Sequence, residues 1–192
     1  MQYERVEIAD EELPRAAGPL FQHLVHTYAS ETNKTASVWR RFGDGDLGWR
    51  PHPRSSTVEA IMKHQLLSER RFFGEFLGAP EPPGSVVLPD PVSVETLTGR
   101  LVQLAAARLP WIAAQDESAW LLPVQFFDAE RERIWVFWRR ILHTAHHRTQ
   151  LTVYLRLLDR AVPASYGPTA DVTWLGADPT LNVEAANRGG SK

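Results

Sequence analysis

The sequence predicts an all-α protein, a four-helix bundle with long connecting loops, and three observations lead to this fold class. Apolar residues recur at steps of three and four along four long stretches, which is the period of a helix that buries one face. Proline-rich and glycine-rich segments separate these stretches, and residues 79–92 alone hold five prolines. The sequence shows no internal repeat or low-complexity block that would indicate another architecture.

The first two predicted helices have recognisable start and stop signals. The first covers about 13–42 and is expected to start near Gly18, because Pro14 and Pro19 suit a lead-in or a first turn better than a helix interior. It ends at the glycine-rich segment 43–48. The second opens at Ser56-Thr-Val-Glu59, which has the pattern of a capping box in which the serine caps and the glutamate reaches back. The periodicity then predicts helix to about Leu77.

The second half of the chain contains two more predicted helices. Ser93 is suited to cap a third helix over 94–115, which Pro110 is expected to kink or end. Residues 116–133 fit either an extended hydrophobic loop or short strands packed on the helices. The fourth helix, over 134–158, contains no glycine or proline and is the clearest of the four.

Length and composition predict one domain over residues 1–192, with a core of about 13–171 and a flexible tail of about 185–192. The net charge of −2 offers no basic face for nucleic acid. No stretch approaches the ~18–20 apolar residues of a membrane span, so no membrane partner is expected. The N-terminus lacks the pattern of a signal peptide, which makes a cytoplasmic location the expectation.

Any metal site must use histidine or carboxylate ligands, because the chain has no cysteine. His143 and His147 are one turn apart on the fourth predicted helix and point the same way. This spacing lets two imidazoles reach one metal ion, and His64 on the second helix is a third candidate ligand. Three neutral imidazoles would leave a coordination position open for water or substrate.

Spacing alone leaves other assignments open. His146 projects about 60° to the other side of His143 and stays within the broad apolar arc of the helix. His23 and His26 form another pair at three-residue spacing, although an exposed or half-buried helix face explains them more simply. A helical bundle without metal would also accommodate such histidines as partly buried, hydrogen-bonded residues.

The pattern assigns no residue a catalytic role. Tyr154 and Gln150 project near the histidine face and are predicted to line the pocket. For the tyrosine, core packing is the alternative. The glutamine either supports a ligand histidine or holds the helix to its neighbour, and we favour the second. Glu69 and Glu75 are candidate bases only by their place in the second helix, where a solvated face is the simpler interpretation. Arg148 projects away from the site and is expected to form a structural ion pair.

Three segments, in this order, carry a resemblance to a known family. The first is the linker and helix start from Trp49-Arg-Pro to Met-Lys-His64. The second is His143-x-x-x-His147-Arg-x-Gln150, with Thr149 where the family frequently has glycine. The third runs from Tyr154-Leu-Arg-Leu-Leu158 to Tyr166-Gly-Pro168. Together they cover roughly 20–171 and resemble the DinB-like (DinB/YfiT) superfamily of helical-bundle metalloenzymes.

The resemblance implies a four-helix bundle with one divalent ion, zinc or nickel, bound by His64, His143 and His147, and it implies that His146 is not a ligand. Related branches are S-transferases or isomerases that use low-molecular-weight thiols. The expectation is therefore a metal-dependent S-transferase or hydrolase with a small-molecule substrate. The alternative is a non-catalytic stress-response or ligand-binding bundle with a structural metal or none. Bundles of this type often pair through helix faces, so a homodimer is also expected.

Overall fold

The computed structural model describes residues 6–167 and 169–171. Within these ranges the chain forms five α-helices and one two-stranded antiparallel sheet. In chain order the elements are α1 (Gln22–Trp39), α2 (Val58–Arg71), α3 (Val94–Ala114), α4 (Glu117–Leu121), β1 (Pro123–Phe126), β2 (Ala129–Glu132) and α5 (Arg133–Leu157). Of the predicted all-α four-helix bundle, the mostly helical character is confirmed, while the short helix α4 and the two-stranded sheet are additions to the four predicted helices. The predicted tail over 185–192 lies outside the described residues.

The start of α2 differs by one residue from the predicted capping box. Thr57, not Ser56, is the N-cap, and its hydroxyl accepts a hydrogen bond from the backbone N–H of Ala60. After Arg71 the chain continues as a π-helical turn over Phe72–Leu77. The turn ends at Gly78, whose φ of 79° lies in the left-handed region that favours glycine.

The third helix begins as predicted, with the Ser93 hydroxyl accepting from the N–H of Thr96. Pro110 does not end it, because α3 continues to Ala114. Pro110 and Ala106 both lie on the exposed side of α3, so water can reach the Ala106 carbonyl that loses its helical donor.

Short strands, one of the two open alternatives, account for part of the segment before α5. Strands β1 and β2 form a hairpin in which Phe126 pairs with Ala129. Phe127 and Asp128 therefore make a two-residue turn. Phe127 has a φ of 55°, a conformation that such turns normally assign to glycine at their first position.

Helix α1 packs against both α3 and α5, and α5 also packs against α2. Two separate hydrophobic clusters result, one towards each end of the helices. Between them lies a layer of buried charged side chains, called here the polar layer. It consists of Glu31, Lys34, Glu69, Arg108, Arg140 and Arg148. No helix in the described ranges is long and apolar enough to cross a membrane.

Candidate metal centre

Three histidines from two helices meet at the height of the polar layer. His64 on α2 faces His143 and His147 on α5, and one nitrogen from each ring lies within 4.8 Å of the others. The Nε2 atoms of His64 and His143 are 3.5 Å apart. The structure thus brings together the three residues that the resemblance assigns as ligands, in a donor set that suits a divalent ion such as zinc.

A contact at the start of α2 fixes its position against α5. The Tyr154 hydroxyl on α5 donates to the carbonyl of Ser56, the residue just before the N-cap, at 3.1 Å. Tyr154 is itself 4% exposed and packs edge-on against Trp49. Because the helix start is held there, His64 lies about two turns further along, opposite the histidine pair.

Gln150 sets the protonation pattern of His147. Its amide oxygen lies 3.1 Å from His147 Nδ1, and since an amide oxygen can only accept, Nδ1 carries the proton. The lone pair of Nε2 is then free for a metal ion. The Gln150 amide nitrogen donates to the Tyr154 hydroxyl at 3.4 Å. Both of these contacts lie within α5, whereas the interpretation favoured from the sequence was a contact with a neighbouring helix.

Arg140 contacts His143 from the buried side. Its Nη1 lies 2.9 Å from His143 Nδ1, and since a guanidinium can only donate, this nitrogen accepts. A neutral His143 then carries its proton on Nε2, the atom that faces His64. Metal binding through Nε2 therefore requires the Arg140 contact to yield so that the proton can move to Nδ1.

The environment keeps all three imidazoles neutral at pH 7. Burial, Arg140 and the other two histidines lower the pKa of His143 to about 3. Burial and Arg140 also lower the pKa of His64. Burial lowers the pKa of His147 although the hydrogen bond to Gln150 opposes it. Neutral imidazole is the form that binds metal ions, so little proton competition is expected at neutral pH.

A cleft of about 550 Å³ opens beside the cluster between α2, α5 and the hairpin. We call it the aromatic cleft, because three phenylalanines contribute to its wall. Its lining residues are His64, Leu67, Ser68, Arg71, Phe72, Phe126, Phe127, Arg139 and His143. No carboxylate is among these residues. A small molecule in the cleft would thus contact two of the three histidines.

The other histidines on helices lie outside the cluster. His146 is exposed, and together with Gln150 it lines a separate shallow depression on α5. His23 stacks on Trp138, and its Nδ1 lies 2.7 Å from a backbone carbonyl. His26 is exposed on α1. Neither Gln150 nor the buried Tyr154, the two predicted pocket residues, lines the aromatic cleft.

The two candidate bases are both engaged elsewhere. Glu69 is 4% exposed, accepts a hydrogen bond from Tyr28 at 2.7 Å and lies 3.5 Å from Arg108, so a solvated face was the wrong interpretation for it. Glu75 accepts hydrogen bonds from Arg70 and Arg71 at the surface. Neither carboxylate is placed to act on a molecule in the cleft.

Sequence reasoning missed two parts of the site. Arg140 is one turn before His143 and 1% exposed, and the available signal was a charged residue on the buried face of an otherwise apolar helix. Phe126 and Phe127 reach the cleft only because the hairpin folds back towards α2, which no local pattern indicates.

The predicted ion pair of Arg148 is present, with Glu31 at 2.7 Å.

Comparisons with known proteins agree with this architecture. A solved structure of a DinB-like protein from Bacillus cereus is 19% identical with a TM-score of 0.64, covering 74% of this chain and 95% of that one. Another, from Bacillus subtilis, is 16% identical with a TM-score of 0.58 and the same coverage. At these identities the likeness shows the fold alone, and no curated protein matches the chain. The model of the DinB superfamily matches residues 20–151, more than half of the chain, and the chain therefore belongs to the DinB superfamily.

Proposed function

We propose that this protein is a metal-dependent enzyme in which His64, His143 and His147 hold one divalent ion, zinc or nickel. The observation that carries the proposal is the meeting of three ligating nitrogens, from two helices, within 4.8 Å of one another. Such an ion, when bound by three imidazoles, keeps an open position and lowers the pKa of a thiol or water there towards neutrality.

The surrounding residues prepare the site. Gln150 fixes the His147 ring through its Nδ1 proton, as partners of metal-binding histidines commonly do. Arg140 adds a buried positive charge beneath His143, which favours an anionic group on the open side. The aromatic cleft gives a small molecule an apolar surface beside the cluster, and a molecule bound there would displace water from that face and strengthen these electrostatic effects.

Thiol transfer suits this site better than hydrolysis. A hydrolase generally needs a carboxylate or a free histidine near the metal as general base. The cleft lining contains no carboxylate, Glu69 and Glu75 are engaged elsewhere, and the exposed His146 lines a separate depression. A low-molecular-weight thiol starts from a pKa of about 8.5, against about 15.7 for water, so a bound ion has to lower its pKa far less to make it a nucleophile at neutral pH. We therefore propose an S-transferase that joins such a thiol to a small electrophilic substrate.

Metal content tests the first step of the proposal. Purified protein reconstituted with zinc or nickel is expected to retain about one ion per chain after desalting. His143→Ala is expected to abolish retention. His146→Ala, which removes a neighbouring exposed histidine from the same helix, is the matched control and should retain the ion. Absence of metal in the reconstituted wild-type protein would overturn the proposal.

The lack of a general base also favours a second candidate, a non-catalytic bundle that binds a ligand or carries a structural metal. Titration of cobalt-substituted protein with several low-molecular-weight thiols separates the two. A shift of the visible absorption bands shows that a thiol reaches an open position and supports the transferase. An unchanged spectrum with every thiol favours the non-catalytic alternative.

A homodimer remains part of the proposal, and an exposed apolar stripe on α5 supports it. Leu142, Val153 and Leu157 are each more than half exposed and recur at helical spacing. A second copy of the same helix would cover them. Light scattering at two protein concentrations tests this, with Leu142→Lys expected to shift the population towards monomer.

A further inference from the structure

One wall of the aromatic cleft is made of phenylalanine rings, and the outermost of them, Phe127, projects beyond the core. Phe127 is 57% exposed and lies 4.8 Å from Phe126, centroid to centroid. Phe126 in turn lies 5.6 Å from Phe72, which is stacked beside His143. These rings form a continuous apolar surface from the hairpin to the histidines. Large apolar side chains exposed on a concave surface indicate a binding site more often than a packing accident.

Phe127 occupies its position against its own backbone preference. A φ of 55° in a two-residue turn suits glycine, because a side chain in this region meets its own backbone. The guanidinium of Arg71 lies over the ring at 5.2 Å and helps to hold it in place. Such strain is usually retained where a side chain has a function, and here it places an aromatic ring at the cleft.

The two cations of the cleft differ in how they are engaged. Arg71 pairs with Glu75 at 3.0 Å and stacks on Phe127, so its charge is largely compensated. Arg139 is exposed and lines the cleft, and among the described residues it has no hydrogen-bond or ion-pair partner. With no carboxylate in the lining, the cleft is positively charged beside an apolar wall.

We propose that the aromatic cleft binds a small molecule with a flat apolar body and a carboxylate, and that Arg139 recognises the carboxylate. The body packs on Phe126 and Phe127, and the carboxylate accepts hydrogen bonds from the Arg139 guanidinium. This assignment rests on the proposed function only in placing the ligand beside the metal site, because the binding groups themselves need no metal. It identifies the substrate class as aromatic or similarly flat carboxylic acids.

Other ligand classes fit the cleft less well. A purely apolar molecule would desolvate Arg139 without giving it a partner. A cationic molecule would meet Arg139, Arg71 and the buried Arg140 with no carboxylate in the lining to offset them. A nucleic acid needs a large basic face, which a chain with a net charge of −2 and a cleft of about 550 Å³ does not provide.

A titration of metal-free protein isolates this binding from any metal coordination. The probes are phenylacetate, 4-phenylbutyrate and the uncharged phenylacetamide. Their affinities are measured by calorimetry or ligand-observed NMR with a chelator present. Phenylacetate is expected to bind about fivefold tighter than phenylacetamide, the effect of one ion pair in a partly exposed cleft.

Two variants with a matched control assign the effect to residues. Arg139→Gln should abolish the difference between phenylacetate and phenylacetamide. Arg100→Gln, which removes an arginine on α3 outside the cleft, should preserve it. Phe127→Gly should weaken the binding of all three probes about threefold or more, because each carries a phenyl ring. The thermal midpoint should stay equal or rise, because glycine adopts the turn without strain. A role in folding alone predicts unchanged probe affinity in Phe127→Gly.

Equal affinity for the carboxylate and the amide in wild-type protein overturns the proposal, as does a carboxylate preference that survives in Arg139→Gln. Absence of binding by every probe up to its solubility limit overturns it as well. These outcomes leave the metal proposal untouched, since that depends on ion retention by His64, His143 and His147. Conversely, loss of the metal proposal does not alter the result expected from metal-free protein.

Discussion

Arg140 and Arg148 lie about two turns apart on α5, and each is 1% exposed, yet their surroundings differ in one decisive respect. Arg148 pairs with the Glu31 carboxylate at 2.7 Å and also donates to the Tyr166 hydroxyl at 2.6 Å. Arg140 donates to Ser68, Thr144 and His143, with no carboxylate among the described residues within ion-pair distance. One buried cation has a carboxylate in direct contact, whereas the other has only the more distant charge of Glu69.

This difference indicates that one side of the polar layer stabilises the fold and the other side serves the candidate site. A buried charge without a paired countercharge is unfavourable, and natural proteins retain such groups mainly at functional sites. The Arg148 side of the polar layer holds α1 against α5. On the Arg140 side the burial of a charge without a direct ion pair costs free energy. The same arrangement places positive charge and neutral imidazoles beside an open cleft.

The largest effect is expected from breaking the compensated side. Glu31→Gln leaves Arg148 and Lys34 buried without their carboxylate and should lower the free energy of unfolding by about 3–5 kcal/mol. Urea denaturation of metal-free protein measures it. Glu59→Gln is the control, because its pair with Lys63 is partly exposed and should contribute only about 0–1 kcal/mol. Similar losses in both variants would show that the polar layer is not the structural element inferred here.

The next largest effect is expected in metal affinity rather than in stability. Gln150→Leu removes the acceptor of the His147 Nδ1 proton and should weaken metal binding about 10- to 100-fold. The free energy of unfolding should change by no more than about 1 kcal/mol, because the residue is only half-buried. Competition with a chromophoric chelator measures the affinity. Thr149→Val, at the neighbouring exposed position, should leave it unchanged, and an equal loss there would argue against tautomer control.

The features that the sequence predicted correctly depend on local pattern. The limits of α5 follow from an uninterrupted helical period, and the observed Arg133–Leu157 lies within one residue of the prediction. The relation of His143 to His147 follows from the same period. By contrast, the N-cap of α2 was misplaced because Ser56 and Thr57 can both cap. The tertiary contact from Tyr154 to the Ser56 carbonyl is part of what positions that start, and a local pattern does not contain it.

The features that were missed depend on residues far apart in the chain. The ion pair of Arg148 was predicted, but its partner was not, because Arg148 and Glu31 are separated by 117 positions and nothing near Glu31 indicates that its side chain is buried. Polar residues on a helix normally indicate a solvated face, so the polar layer had no local signature. His64 was a candidate ligand only because it is a histidine on another helix, and the resemblance alone assigned it to the same site as His143 and His147. The aromatic cleft required the hairpin to fold, which periodicity does not predict.

Removing the charge of Arg140 tests the other side of the polar layer. Arg140→Met is expected to strengthen metal binding about tenfold, because a positive charge near the ion disappears and His143 Nδ1 is released to carry the proton. Stability should change by about 1 kcal/mol or less, since Glu69, the buried carboxylate whose charge acts on Arg140, keeps its direct partner Arg108. Chelator competition and urea denaturation measure the two quantities. Arg156→Met, on the exposed face of the same helix, should not alter the affinity. Weaker binding in Arg140→Met would mean that Arg140 orients His143 instead of opposing the ion.

The smallest effect is expected in the pH dependence of metal-free protein, where the two sides titrate in different ranges. A histidine with a lowered pKa binds fewer protons folded than unfolded, so the free energy of unfolding falls as the pH drops below about 6.5. For His143, whose pKa is about 3, this loss continues through the mildly acidic range. Because the ring is only half-buried, we expect less than about 1 kcal/mol between pH 6.5 and 5.

Glu31 affects stability at a lower pH than His143 does. Burial raises its pKa, but Arg148 and Lys34 outweigh burial and leave the pKa below its usual value. Its stabilising contribution is therefore present above the unfolded pKa of about 4.5 and is lost as the pH falls through the folded pKa. Urea denaturation at several pH values should show that His143→Gln reduces the slope between pH 6.5 and 5, whereas Glu31→Gln reduces it only below about pH 5. If His143→Gln leaves the upper slope unchanged, the histidine is not held neutral by its surroundings, and the distinction between the two sides of the polar layer loses its electrostatic basis.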